Sequence, residues 1–158
     1  MFYAGLILTD KGQNLLEINV RFGDPETQAI IPLLETDLLE LLYASAIGNL
    51  NEIKKIKWKN DYAMTIVIAA NGYPEDYKKF TSIKNLENLT LTKDEYLFHA
   101  GTMLKENKWL SNGGRVLNIS STGKDLKTIR ESIHNIINQI NWDEGYYRKD
   151  IGWRYIDE

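Results

Sequence analysis

Apolar and polar positions change period twice along the chain. Tyr3 to Leu8 is an apolar run, Thr9-Asp10-Lys11-Gly12 has the composition of a turn, and Gln13 to Val20 is extended again, which predicts a β-hairpin. From Pro25 to about Ile47 the spacing becomes helical. Ile30, Ile31, Leu33 and Leu34, then Leu38, Leu39, Leu41, Leu42 and Ala46, recur with a break near Pro32 to Asp37. Two successive helices are expected, the second capped by Thr36 or Asp37 and ended by Gly48. Asn51 to Asp61 is charged and marks a boundary. Beyond it, Tyr62 to Ala70 reads as a buried strand and Asn71-Gly72-Tyr73-Pro74 as a turn. Short strands are expected at Tyr96 to Ala100, Lys105 to Leu110 and, after Asn112-Gly113-Gly114, Arg115 to Ser121. A helix from about Asp125 to Ile140 carries Leu126, Ile129, Ile133, Ile136, Ile137 and Ile140 on one stripe, and such a stripe buries against a sheet. The fold class is therefore α+β.

Composition narrows the partners. The 158 residues suit one domain or two small ones, and 43% hydrophobic with 26% charged residues places the chain among folded proteins. With 22 acidic against 19 basic residues the net charge is -3, too near neutral for the positive field that holds a nucleic-acid backbone. The lysines around Trp58 are read as a solvated connector rather than as an anion patch beside a stacking ring. No cysteine is present, which removes disulfides, thiolate zinc and cysteine nucleophiles. The longest apolar runs fall far short of the roughly 20 residues of a membrane span. Met1-Phe2-Tyr3-Ala4-Gly5 lacks a basic leader, so nucleic acid and membrane are set aside and a cytoplasmic location is expected.

The candidate chemistry lies between Leu15 and Glu26. In a strand, side chains alternate, so Leu16, Ile18, Val20 and Phe22 are expected on a core face, with Glu17, Asn19 and Arg21 opposite. Glu17 and Asn19 then offer two hard oxygen ligands about 6 to 7 Å apart along the strand. Magnesium suits such a pair, because it completes its octahedron with waters and substrate phosphates. Arg21, further along the same face, could stabilise charge on a phosphoryl or acyl phosphate group. Gly23 permits a sharp turn, Asp24 can cap, and Pro25 suits a first helical position, which together predict an anion-holding helix start. The same alternation also belongs to any half-exposed strand, with Glu17 and Arg21 merely solvated.

The run Leu16-Glu17-Ile18-Asn19-Val20-Arg21-Phe22-Gly23-Asp24-Pro25-Glu26-Thr27-Gln28 resembles the signature of the phosphoribosylamine-glycine ligase (glycinamide ribonucleotide synthetase) family of the ATP-grasp superfamily. Tyr3-Ala4-Gly5-Leu6, Asp37 to Leu42, Gly72-Tyr73-Pro74, Phe98 to Thr102, Gly113-Gly114-Arg115-Val116-Leu117 and Tyr147 to Trp153 follow in that family's order. The resemblance implies an ATP-dependent joining of glycine to 5-phosphoribosylamine through glycyl phosphate, in purine synthesis. It implies that Glu17 and Asn19 bind Mg2+ or Mn2+ bridging ATP phosphates, and, more loosely, that Arg21, Gly23 and Asp24 line the substrate end.

The family's chain is much longer, so residues 1–60 are expected to be the C-terminal segment of an ATP-grasp domain and 61–158 the C-terminal domain. A fragment or split gene product is expected, completed by a separate N-terminal portion; the alternative is a non-catalytic module or assembly partner. The hairpin, deprived of the sheet it extends, is expected to promote self-association. His99 and His134 are read as structural, the aromatic tail from Trp142 to Tyr155 as packing, and Ser120-Ser121 as chemically idle.

Overall fold

The computed structural model describes residues 1–156. β1 (Tyr3–Thr9) and β2 (Gly12–Asn19) form the expected hairpin. Its register breaks between Gly5 and Leu6: Gly5 faces Glu17 while Leu6 faces Leu15, so Leu16 is an extra, bulged residue. The unbroken alternation from Gln13 to Val20 is thus corrected. The core expected on the face of Leu16, Ile18 and Val20 is corrected too. These side chains are 65%, 52% and 85% exposed, because a two-stranded ribbon has no second layer of its own.

α1 (Glu26–Ile30) runs into a 3-10 turn at Ile31–Leu33, and α2 (Leu38–Ala46) follows, as the two-helix pattern predicts. Asp37 is the cap of α2, its Oδ1 accepting from the amides of Leu39 at 2.7 Å and Glu40 at 3.2 Å. Gly48 ends the segment at φ 81°. The stretch after it is more than a solvated connector. Lys54, Lys55 and Lys57 are exposed, yet the Glu35 and Thr36 amides donate to the Lys57 carbonyl and the Lys59 amide to that of Leu33. The strap satisfies its backbone against the turn between the helices.

The remainder is an antiparallel α+β unit. β3 (Tyr62–Ala70), β5 (Glu95–His99), β8 (Arg115–Gly123) and β9 (Gly145–Tyr146) form one sheet in the order β5-β8-β3-β9. β4 (Ser82–Ile83), β6 (Thr102–Lys105) and β7 (Lys108–Ser111) form another in the order β4-β7-β6. α3 (Leu126–Ile137), capped by Asp125 on the Thr128 amide at 2.7 Å, presents Ile129, Ile133, Ile136 and Ile137 to Met64, Ile66, Ile68, Leu117 and Ile119. That is the core, and it covers one sheet face. The other face, with Thr65 and Val67 opposite Ser120 and Asn118, meets α1 and the Ile31–Leu33 turn.

One expectation changes here, and three short elements are added. Lys105 to Leu110 is not one strand but the close of the β6–β7 hairpin, turned at Glu106 and Asn107 with φ 50° and 57°, the backbone of a tight hairpin turn without glycine. β4, β9 and α4 (Trp153–Ile156) have two to four residues, too few to show a period.

Candidate functional site

The bulge decides what faces Glu17 and Asn19. Directly opposed residues of an antiparallel pair share a face, so Glu17 lies with Gly5 and Asn19 with Tyr3. Gly5 has a packing role: a Cβ there would sit 2.9 Å from Glu17 Cγ, so the glycine leaves the space that the Glu17 side chain crosses. Tyr3 donates to Glu26 Oε1 at 3.1 Å. That bond, with burial and the negative charges of Glu26 and Glu17, raises the phenol above its ordinary pKa, while Arg21 opposes the shift. Tyr3, Glu17, Arg21 and Glu26 therefore belong to one electrostatic neighbourhood. The Arg21 guanidinium itself donates to the Phe22 carbonyl at 2.8 Å and is exposed.

The elbow is tied down at each residue. Gly23 is buried, and a Cβ on it would meet Glu26 Oε2 at 2.5 Å and the Tyr3 ring at 3.1 Å, so a side chain there would make the Glu26 carboxylate and the Tyr3 ring give way. The Gly23 carbonyl accepts the Thr27 amide at 3.2 Å and the Thr27 hydroxyl. Asp24 is held by Arg115, which donates to its carbonyl at 2.9 Å and its Oδ2 at 2.9 Å, while Gln28 donates to Oδ1 at 3.1 Å. Asp24 therefore does not cap α1 as expected; the cap residue is Pro25, without a side-chain bond, because the Asp24 carboxylate is turned towards Arg115.

The donor set at Glu17 and Asn19 fits a hard divalent ion that keeps most of its shell from water and substrate. One carboxylate and one amide oxygen share a face; Glu17 is exposed, and Asn19 Nδ2 is buried without a partner among the described residues. Among the described residues there is no group of three or more His, Cys, Asp or Glu that could hold an ion.

The histidines and the tail are placed as follows. His99 Nδ1 bonds the Thr102 hydroxyl at 2.9 Å and packs on Trp109, with burial lowering its pKa. His134 packs against Tyr147, its pKa lowered by burial and by the charges of Arg130 and Lys149. Trp142 is buried, its Nε1 donating to Thr81 at 2.8 Å, and Tyr147 packs on the core; Tyr146, Trp153 and Tyr155 remain exposed, so the packing expectation holds for the first two alone. Tyr3, Glu26 and Arg115 are the residues that reading along the strand does not single out. Register, one helical turn and a contact across 91 positions bring them in.

An antiparallel α+β unit with an appended polar-faced hairpin defines the class, and comparison places it. The model of "Phosphoribosylglycinamide synthetase, C domain" matches residues 63–154. The phosphoribosylamine–glycine ligase of Rhizobium meliloti (strain 1021) is 44% identical over 156 residues, covering 99% of this chain and 36% of the relative. That of Synechocystis sp. is 45% identical over 157 residues, covering 99% and 37%. The crystal structure of the phosphoribosylamine–glycine ligase from Thermotoga maritima superposes with a TM-score of 0.72 at 30% identity, covering 94% of this chain and 36% of that one. The chain belongs to the phosphoribosylglycinamide synthetase C-domain family and corresponds to the C-terminal portion of such synthetases. It spans a little over a third of the length of these relatives.

Proposed function

We propose that this chain supplies the C-terminal part of a phosphoribosylamine-glycine ligase acting in purine biosynthesis in the cytoplasm. Residues 1–60 are the end of its ATP-grasp domain and 61–158 its C-terminal domain, a division supported by the start of the family match at residue 63. In the reaction the glycine carboxylate attacks the γ-phosphorus of ATP, releasing ADP and forming glycyl phosphate. The amine of 5-phosphoribosylamine then attacks the acyl carbon, phosphate leaves and the amine gives up a proton.

Glu17 and Asn19 hold the Mg2+ or Mn2+ that neutralises phosphate charge when bound. Arg21 lies at the phosphoryl end, and Gly23 and Asp24 shape the substrate end. Chemistry of this kind rests on positioning and charge neutralisation rather than on a protein nucleophile.

The observation that carries the reading is the shared face of Glu17 and Asn19, open beside Gly5. The test mixes this chain with the separately produced N-terminal remainder of a relative and measures glycine-dependent ADP release. Release that Glu17→Ala abolishes supports the metal role. Full-rate release with Glu17→Ala refutes it, and a folded mixture without release assigns the non-catalytic reading.

A further inference from the structure

The amine step of the ligase reaction releases a proton that must be taken up. When the amine attacks the acyl carbon its nitrogen becomes positively charged, and a positioned base speeds the loss of its N–H proton. Between Glu17 and Glu26 the sequence places three carboxylates. Glu17 is the metal ligand of the proposed site. Asp24 is engaged on both oxygens, Oδ2 by Arg115 at 2.9 Å and Oδ1 by Gln28 at 3.1 Å. Glu26 differs: its Oε1 accepts the Tyr3 hydroxyl at 3.1 Å, and its Oε2 has no hydrogen-bond partner among the described residues. The histidines are engaged elsewhere, His99 Nδ1 with the Thr102 hydroxyl and His134 against the Tyr147 ring.

Tyr3 connects the Glu26 carboxylate to the face of the metal pair. It stands directly opposite Asn19, with Gly5 opposite Glu17, so its ring rises from the same face of the ribbon. The bond to Glu26 is the main reason its pKa lies above the ordinary value, so the hydroxyl keeps its proton at neutral pH; the charges of Glu17 and Arg21 also reach it. A tyrosine hydroxyl can accept one proton while donating another. Gly23 lets the two residues close on the elbow, since a Cβ there would lie 2.5 Å from Glu26 Oε2 and 3.1 Å from the Tyr3 ring. Both side chains are half-buried.

We propose that Tyr3 and Glu26 form a proton relay for the amine step. The phenol oxygen takes a proton from the amine nitrogen as its own proton passes to Glu26 Oε1, along the bond already present. One N–H and one phenolic O–H break, one phenolic O–H and one carboxyl O–H form, and the nitrogen's positive charge and the carboxylate's negative charge are both discharged. Glu26 then returns the proton to water. The inference rests on the ligase reading and assigns its second step to residues outside the metal pair. The first step, attack of the glycine carboxylate on the γ-phosphorus, moves no proton and has no need of the relay.

The test uses this chain reconstituted with the N-terminal remainder of a relative and reads the two steps separately. With hydroxylamine in place of 5-phosphoribosylamine, glycyl phosphate is trapped as glycine hydroxamate by a nucleophile that sheds its proton without help. Glu26→Gln keeps an oxygen for the Tyr3 hydroxyl but cannot take up the proton, and Tyr3→Phe removes the relay. Each is expected to form hydroxamate at the parental rate while amide formation from 5-phosphoribosylamine falls, about 100-fold for Glu26→Gln and at least tenfold for Tyr3→Phe. Full-rate amide formation in Glu26→Gln, or an equal fall in hydroxamate and amide, would overturn the relay and leave the ligase reading standing. Glu17→Ala should lose both products, which separates the metal role from the relay. A parent mixture that releases no ADP would remove the ligase reading and the relay with it.

Discussion

Asp24 is the residue on which the elbow turns, and its environment explains why it is tied rather than free. A carboxylate between a guanidinium and a carboxamide is satisfied on both oxygens, and Arg115 adds a bond to the Asp24 carbonyl that a lysine could not add in the same plane. Both side chains are more than a third exposed, so solvent screens the pair. A double-mutant cycle of Arg115→Ala and Asp24→Ala, read by urea unfolding, should give a coupling of about 0.5–1 kcal/mol. Zero coupling would mean that the contact orders nothing. At Gly23 the expectation is harsher: Gly23→Ala drives a methyl into Glu26 and Tyr3, so the Tyr3–Glu26 bond should be lost and the tyrosine's ultraviolet titration should move back towards its ordinary value. An unchanged tyrosine titration in Gly23→Ala would show that the elbow yields elsewhere.

Among the elements, α3 and the strands beneath it carry the stability. Ile133 is completely buried between β3 and β8, and Ile133→Ala should cost about 2–5 kcal/mol, measured by calorimetry, with the helix stripe as the reason. The same helix supplies a pH dependence. Bonds from the Thr128 hydroxyl and amide hold the Asp125 carboxyl below its ordinary pKa, so the cap adds stability above about pH 3.8 that disappears as pH falls through the lower folded value. Asp125→Asn keeps a capping oxygen but cannot titrate, so circular dichroism should show a shallower loss of stability in acid than for the parent chain. α3 was legible because a twelve-residue stripe has a clear period. β2 was only half legible. Carried on from Thr9 and Gly12 without a bulge, its register would oppose Asn19 to Phe2 and Glu17 to Ala4; the extra residue at Leu16 brings Tyr3 and Gly5 there instead.

At the scale of the whole molecule, the hairpin carries an apolar face with nothing over it among the described residues. Leu6, Leu8, Leu16, Ile18 and Val20 are exposed, and the ribbon has two open edges. Sedimentation should therefore show concentration-dependent dimers or larger species, and Leu8→Lys with Val20→Lys should return the chain to monomer; a parent chain that stays monomeric at high concentration contradicts this. Sequence by itself determined what depends on neighbours along the chain: the hairpin, the two short helices, the capped amphipathic helix and the alternation that sets Glu17 beside Asn19, because periodicity and turn chemistry are local. Only the tertiary structure decided which residues stand opposite them and which close the elbow, since a bulge shifts register without a sequence signal and Arg115 reaches Asp24 from 91 positions away once β8 is paired with β3.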